Sequence, residues 1–402
     1  MSRIYLDHNA TTPLDPLVLD EMLPYLRDRF GNASSVHEAG REARRAVEQA
    51  RERVAALIHA DPAEIVFTSG GTEADNHALR GVFAKGGRDG DERPHLITSA
   101  IEHPAVLNTA QMLEKRGYGV TYLPVDARGR IDVAAVAGAI RSETRLISVM
   151  LANNEVGTLQ PVAELAPQAR ERKILLHTDG VQALGRIAID VRALGVDLLS
   201  MSSHKIYGPQ GVGALFIRRG VSVGPLIVGG HQERRRRGGT ENVAGIVGFG
   251  KACELCGQGL EQNAARTAAL RDRLEQAILR RIPHATINGH PTHRLPNTLN
   301  AAFRFVEGEA LLINLDFEGV AVSTGSACSS GDLKPSHVLI AMGISPVDAH
   351  GSLRFSLGRT TTEAEIDAAL EVLVRVVERV RSMSPMYSDF LKGREASAGR
   401  RG

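Results

Sequence analysis

Short apolar, β-branched runs alternate along the first half of the chain with longer segments whose apolar positions recur at helical spacing. Residues 65–68, 95–98, 120–123, 145–150, 174–177 and 212–217 read as strands, and residues 41–58, 106–117 and 162–172 as helices. That βαβα rhythm predicts a mostly parallel sheet with helices on both faces. After about Lys251 the rhythm changes: a helix over 263–280, a strand over 297–305, a further helix, a Gly/Ser-rich stretch over 323–331, a strand over 351–357 and a helix over 363–381. The reading is α/β, with a large domain over 16–257 and a smaller α+β domain built from 1–15 and 258–402.

Composition narrows the class without identifying it. Lys+Arg 48 against Asp+Glu 46 leaves a net charge of +2 in 402 residues, so no nucleic-acid or membrane partner is implied. No apolar stretch approaches a membrane span, and residues 1–7 lack a signal-peptide core. Three cysteines cannot build a disulfide framework, which suits a reducing cytoplasm. Cys253 and Cys256 form a CxxC inside a helical period and read as buried packing residues, since no second ligand pair accompanies them. The run Arg234–Arg237 reads as a solvated or interface-edge face.

Four segments carry chemistry. In Thr68-Ser69-Gly70-Gly71-Thr72-Glu73 a strand ends, glycines turn the chain and a helix begins, which offers N–H groups to a phosphate; an ordinary βα turn reads equally well. In Ser200-Met201-Ser202-Ser203-His204-Lys205 a lysine lies among hydroxyls on a short connection, the setting that a cofactor Schiff base requires, although most lysines are surface charges. Asp179 ends a buried strand, where open α/β sheets bind ligands and where a carboxylate can pair with a protonated pyridine nitrogen. Cys328 sits in Ser323-Thr324-Gly325-Ser326-Ala327-Cys328-Ser329-Ser330-Gly331, without large neighbours to pack against, and reads as a nucleophile.

These segments, in the order TSGGTEADN, IEHPAV, ANNEVGTLQP, HTDGVQ, SSHKIYGPQGVGAL, RRGGTENV, STGSACSSG and LRFSLGR, resemble the NifS/IscS-type cysteine desulfurases, and the opening IYLDHNATTPLDP and FGNASSVH are similar too. The resemblance runs from residue 4 to about residue 387. It implies the fold type I architecture of pyridoxal-phosphate (PLP) enzymes, a homodimer, and conversion of cysteine to alanine with sulfur passed to an enzyme persulfide for iron–sulfur assembly. It assigns Lys205 to the covalent link with the cofactor and Gly71, Thr72, Ser202, Ser203 and His204 to its phosphate, joined by Thr240 from the partner subunit. Asp179 matches the pyridinium partner, Gln182 the donor to the ring oxygen, and His103 the acid–base group on the ring face. Asn154 and Arg354 match the cofactor-side and substrate-carboxylate contacts, and Cys328 the sulfur acceptor, also a transient iron–sulfur ligand shared with a scaffold or sulfur-carrier protein.

Two positions depart from the pattern. Ala33 replaces the usual Pro after FGN, and Arg235 replaces a Gly ahead of GGTENV; an Arg there is strained if the backbone needs φ > 0. Rival enzymes on the same scaffold are an aminotransferase, a kynureninase-like hydrolase and a selenocysteine lyase. The first needs no thiol such as Cys328, whereas the last is harder to separate. An inactive scaffold or regulator would be expected to lack Lys205, Asp179 or Cys328, and all three are present.

Overall fold

The computed structural model describes residues 3–84, 94–324 and 335–398. A seven-stranded sheet forms its centre, from β1 (Ile65–Thr68), β2 (His95–Ser99), β3 (Gly119–Leu123), β4 (Thr144–Ser148), β5 (Leu175–Asp179), β6 (Leu198–Ser202) and β7 (Gly213–Ile217). The order is β1-β7-β6-β5-β4-β2-β3, and only β7 runs antiparallel to its neighbours. Alternation along the strands feeds two cores. Phe67, Ile97, Ile147, Leu176, Leu199 and Phe216 join one, while Val66, Leu96, Leu146, Leu198 and Leu215 join the other. Helices α1 (Gly71–Phe83) and α2 (Pro104–Lys115) cover the second face.

The strand β6 is absent from the sequence reading, because its five buried residues mix Leu and Met with serines and show no apolar run. The helix expected over 263–280 is the C-terminal half of a much longer one, α3 (Val243–Arg281). Its first half escapes periodicity because Ala244 to Gly250 are all buried, leaving no polar face to mark the turns. Glycine is needed there. A Cβ on Gly250 would come within 2.6 Å of Ala50 Cα on the facing helix Glu38–Leu57. Cys253 and Cys256 are buried in this helix, and burial pushes the Cys256 thiol up to about 12, so it packs rather than reacts.

A three-stranded antiparallel sheet, from Ala285–Asn288, Thr298–Phe303 and Ser352–Ser356, packs on the second half of α3 and on Glu363–Ser382 in a separate core. Leu6, from the N-terminal segment, joins that core. We propose the domain boundary within α3, between 257 and 258.

Arg235 has φ +65, and Glu233 and Arg234 before it have φ +45 and +57. This unusual run is pinned by Glu233, whose buried carboxylate takes two 2.8 Å hydrogen bonds from Arg51 and one of 2.9 Å from Phe67 N. Arg235→Gly should therefore stabilise the fold. The left-handed penalty is about 1–2 kcal/mol, partly offset by the added freedom of the unfolded chain, for a net gain of about 0.5–1 kcal/mol. Urea unfolding of the two proteins checks it, and an unchanged or lower midpoint would show that Arg235 is not strained.

Candidate active site

The carboxyl edge of the parallel strands gathers the candidate residues: Ser69–Thr72 after β1, His103 after β2, Asn154 after β4, Asp179 ending β5, and Ser202–Lys205 at the end of β6. Open α/β sheets place ligands at this edge, since the connections there leave a crevice.

Lys205 closes a 3-10 turn, and its Nζ donates to Asn9 O at 2.6 Å and Ala10 O at 2.7 Å. Gln182 Nε2 donates to the same Asn9 carbonyl at 3.0 Å. The Asn9 side chain donates to Asn154 O and Thr298 Oγ1 and accepts from Asn297 Nδ2. Arg354 joins through Nη1, which donates to Asn154 O at 3.0 Å, while its Nη2 donates to Asp7 Oδ1 at 2.8 Å. The N-terminal segment thus ties Lys205, Gln182, Asn154 and Arg354 into one cluster. His204 Nδ1 lies 3.1 Å from Thr11 Oγ1, and Thr12 Oγ1 donates to the His204 carbonyl, extending the tie.

Asp179 is buried, and its Oδ1 accepts from Val181 N at 2.9 Å. Burial pushes this carboxyl up to about 6, against the pull of that N–H and of the Lys205 ammonium. His103 caps α2 through Nδ1, which accepts from Ala105 N at 3.1 Å, and burial with the Lys205 and His337 charges pushes it down to about 4. With Nδ1 accepting, the neutral ring carries its proton on Nε2. Thr72 and His103 line one cavity of about 510 Å³. Helix α1 starts without a side-chain cap, so its first N–H groups are open to an anion.

The donor set fits PLP. Ser203 Oγ and Gln182 Oε1 are buried without partners among the described residues. The first lies beside Gly208, where a Cβ would come within 2.0 Å of that hydroxyl. An amine, a buried carboxylate at a strand end, hydroxyls and an uncapped helix start match a cofactor with an aldehyde, a ring nitrogen and a phosphate. Gly71, Thr72, Ser202, Ser203 and His204 would hold the phosphate, and Asp179 the ring nitrogen.

Two candidates stand apart. Thr240 is exposed and lines a different cavity, of about 150 Å³, with Thr68, Ser69 and Asn242. Cys328 lies outside the described residues. Ser323, five positions before Cys328 in sequence, exchanges backbone hydrogen bonds with Arg354.

Several buried groups were invisible to motif reading. Asp75 lies within electrostatic reach of Asp179 and Glu102, and burial with the Asp179 charge pushes its carboxyl well above the usual range. Glu102 is pushed up to about 8 by burial, although Ser99 Oγ donates to it at 2.5 Å and Met150 N at 3.0 Å. His177, pushed down to about 3 by burial, lies 3.7 Å from Asp75 and bonds with Ser148 and Ser200. Of the two carboxyls, Asp179 alone has both an N–H and the Lys205 ammonium to hold a negative charge.

A pH effect follows from the Asp179 shift. A raised carboxyl is charged only above its shifted pKa, so Asp179 can pair with a protonated ring nitrogen above about pH 6 and loses that charge below it. Wild-type apoprotein should bind PLP about 10–100-fold more tightly than Asp179→Asn at pH 8. The ratio should shrink as pH falls below 6. Fluorescence titration with PLP checks it, and a ratio independent of pH would contradict the pairing.

The chain is similar to known proteins over nearly its full length. The chain is 50% identical over 389 residues to a cysteine desulfurase from Trichormus azollae, covering 97% of this chain and 96% of that one. A NifS-like protein of known structure superposes with a TM-score of 0.87 at 39% identity, covering 94% of this chain and 99% of that chain. A structure described as SspA in complex with cysteine gives 0.79 at 38% identity, covering 89% and 99%. Residues 4–369 match the model of the aminotransferase class-V family, to which this chain belongs.

Proposed function

We propose that this protein is a PLP-dependent cysteine desulfurase that converts L-cysteine to L-alanine and takes the sulfur onto Cys328, supplying iron–sulfur assembly and related sulfur-transfer pathways. The observation that carries the reading is the cluster of Lys205, Asp179, Gln182 and Asn154 at the carboxyl edge of the central sheet, with Arg354 from the smaller sheet tied to Asn154 O, in a chain half identical to a cysteine desulfurase over nearly its full length.

When bound, PLP supplies an electron sink for the bonds broken at the substrate's α- and β-carbons. Asp179 keeps a negative charge against the ring nitrogen and so keeps the ring electron-poor. Arg354, already oriented by Asp7 and the Asn154 carbonyl, presents its remaining N–H groups to the substrate carboxylate. Lys205 Nζ, once released from the cofactor, takes the α-proton as a base. Neutral His103, with Nδ1 held by Ala105 N and a proton on Nε2, serves as a proton donor on the other side. The Cys328 thiolate then attacks the substrate sulfur. An S–S bond forms, the C–S bond breaks, and its electron pair stays on the carbon that becomes the methyl group of alanine. The sulfur leaves as a persulfide on Cys328.

The protein acts as a homodimer in this reading, with Thr240 completing the partner's phosphate site. The exposed apolar side chains Leu17, Leu26, Phe30 and Val36 support a second copy as their cover. A scaffold or sulfur-carrier protein receives the persulfide, with Cys328 a transient iron–sulfur ligand during hand-over. No described helix is long and apolar enough to cross a membrane, and we place the protein in the cytoplasm. The test is the purified holoenzyme with L-cysteine and a thiol reductant. Alanine and sulfide should appear in equal amounts, and pyruvate or no product would reject the assignment.

A further inference from the structure

Among the described residues, the buried Arg186 guanidinium has no carboxylate partner. The Arg186 side chain is only 9% exposed. It donates one hydrogen bond, from Nη2 to His8 O at 3.0 Å, and its Nε is buried without a partner among the described residues. The groups that act on its charge are Tyr207, Cys256 and Arg354, with no carboxylate among them. Burial pushes both Tyr207 and Cys256 up, so both are neutral at pH 7, and Arg354 carries the same sign as Arg186. Removing a guanidinium from water without a counter-charge is costly, and hydrogen bonds to carbonyls alone do not neutralise it.

The side chain opens on a cavity of about 40 Å³ whose walls include Tyr207, Asn263, Thr267, Asn297 and Arg359. Arg359 already pairs with Asp15 and lies 4.1 Å over the Tyr207 ring. The Tyr207 hydroxyl accepts from Arg359 N at 2.6 Å, and its own O–H finds no acceptor among the described residues. A free O–H and an unneutralised guanidinium thus border the same small space. A water needs about 10–15 Å³ of such space, so the cavity has room for a small ion with a water beside it.

We propose that this cavity is a binding site for a small monovalent anion, chloride in the cell, held by the Arg186 guanidinium and the Tyr207 hydroxyl. The site lies where α3, the turn after Gln182 and the chain leaving Ser352–Ser356 converge, so the anion joins elements of both hydrophobic cores. It also acts on the cofactor side. Arg186 fixes the His8 carbonyl, and the next carbonyl, that of Asn9, takes Gln182 and Lys205 Nζ. The inference does not depend on which reaction the enzyme catalyses.

The test uses the holoenzyme exchanged into sodium gluconate and titrated with sodium chloride at constant ionic strength. The thermal midpoint should rise by about 2–4 °C and saturate, as ligand linkage requires. Arg186→Gln should lose the rise. Crystals grown with sodium bromide should show an anomalous peak inside the cavity. A midpoint unaffected by chloride, a rise shared by Arg186→Gln, or a cavity without an anomalous peak would overturn the proposal. The bromide experiment needs only the wild-type protein, so it decides even if Arg186→Gln fails to fold.

Discussion

Lys205→Ala should fold, bind no cofactor that survives desalting, and form alanine from cysteine at least about 10³-fold more slowly than wild type. Two losses combine in this variant. The amine that links covalently to the PLP aldehyde is gone, and so is the base that takes the α-proton. Folding should survive because the side chain contributes hydrogen bonds to two backbone carbonyls, Asn9 O and Ala10 O, and Gln182 still donates to the first. The visible band of the purified protein reads the first loss, and an alanine assay with added PLP reads the second. Wild-type turnover in this variant would remove Lys205 from the chemistry altogether.

Cys328→Ala should separate cofactor chemistry from sulfur chemistry. The variant keeps Lys205, Asp179 and the uncapped start of α1, so it should retain the visible band and its response to cysteine. Sulfide release should fall by about 10³-fold or more, the scale on which loss of a nucleophile acts. Of the three cysteines, Cys253 and Cys256 are buried in α3, and burial raises both thiols far from the reactive range, so neither can substitute. An unchanged rate of sulfide release would mean that sulfur leaves without an enzyme thiol.

The sequence revealed the groups that do chemistry better than the groups that hold them. Asp179 and the Gly70–Gly71 turn could be found because each sits at the end of an apolar strand, where local pattern and ligand position coincide, and Lys205 because it lies among hydroxyls on a short connection. Asn9 could not. Its contacts reach Asn154, Gln182, Lys205, Asn297 and Thr298, all far away in sequence, and no periodicity marks a residue whose role is set by long-range packing. The family-like opening segment around Asn9 was the one available signal. Asp75, Glu102 and His177 were hidden for a related reason, since their unusual protonation comes from burial, which a single sequence does not report. The fold shows the same division. Strands with alternating or continuous apolar character were legible, whereas the serine-containing β6 and the all-round buried start of α3 were not. Arg235 was the opposite case: a departure from an expected Gly pointed to φ > 0, and the backbone has φ +65 there.

The central claim is that sulfur passes from the substrate to Cys328. The most direct measurement is the mass of the Cys328-containing peptide after one turnover with L-cysteine in the absence of reductant, with alanine quantified in the same sample. The account predicts one added sulfur atom on that peptide for each alanine formed, and none on the peptide carrying Cys253 and Cys256. Stoichiometric alanine with an unmodified Cys328 peptide would contradict it.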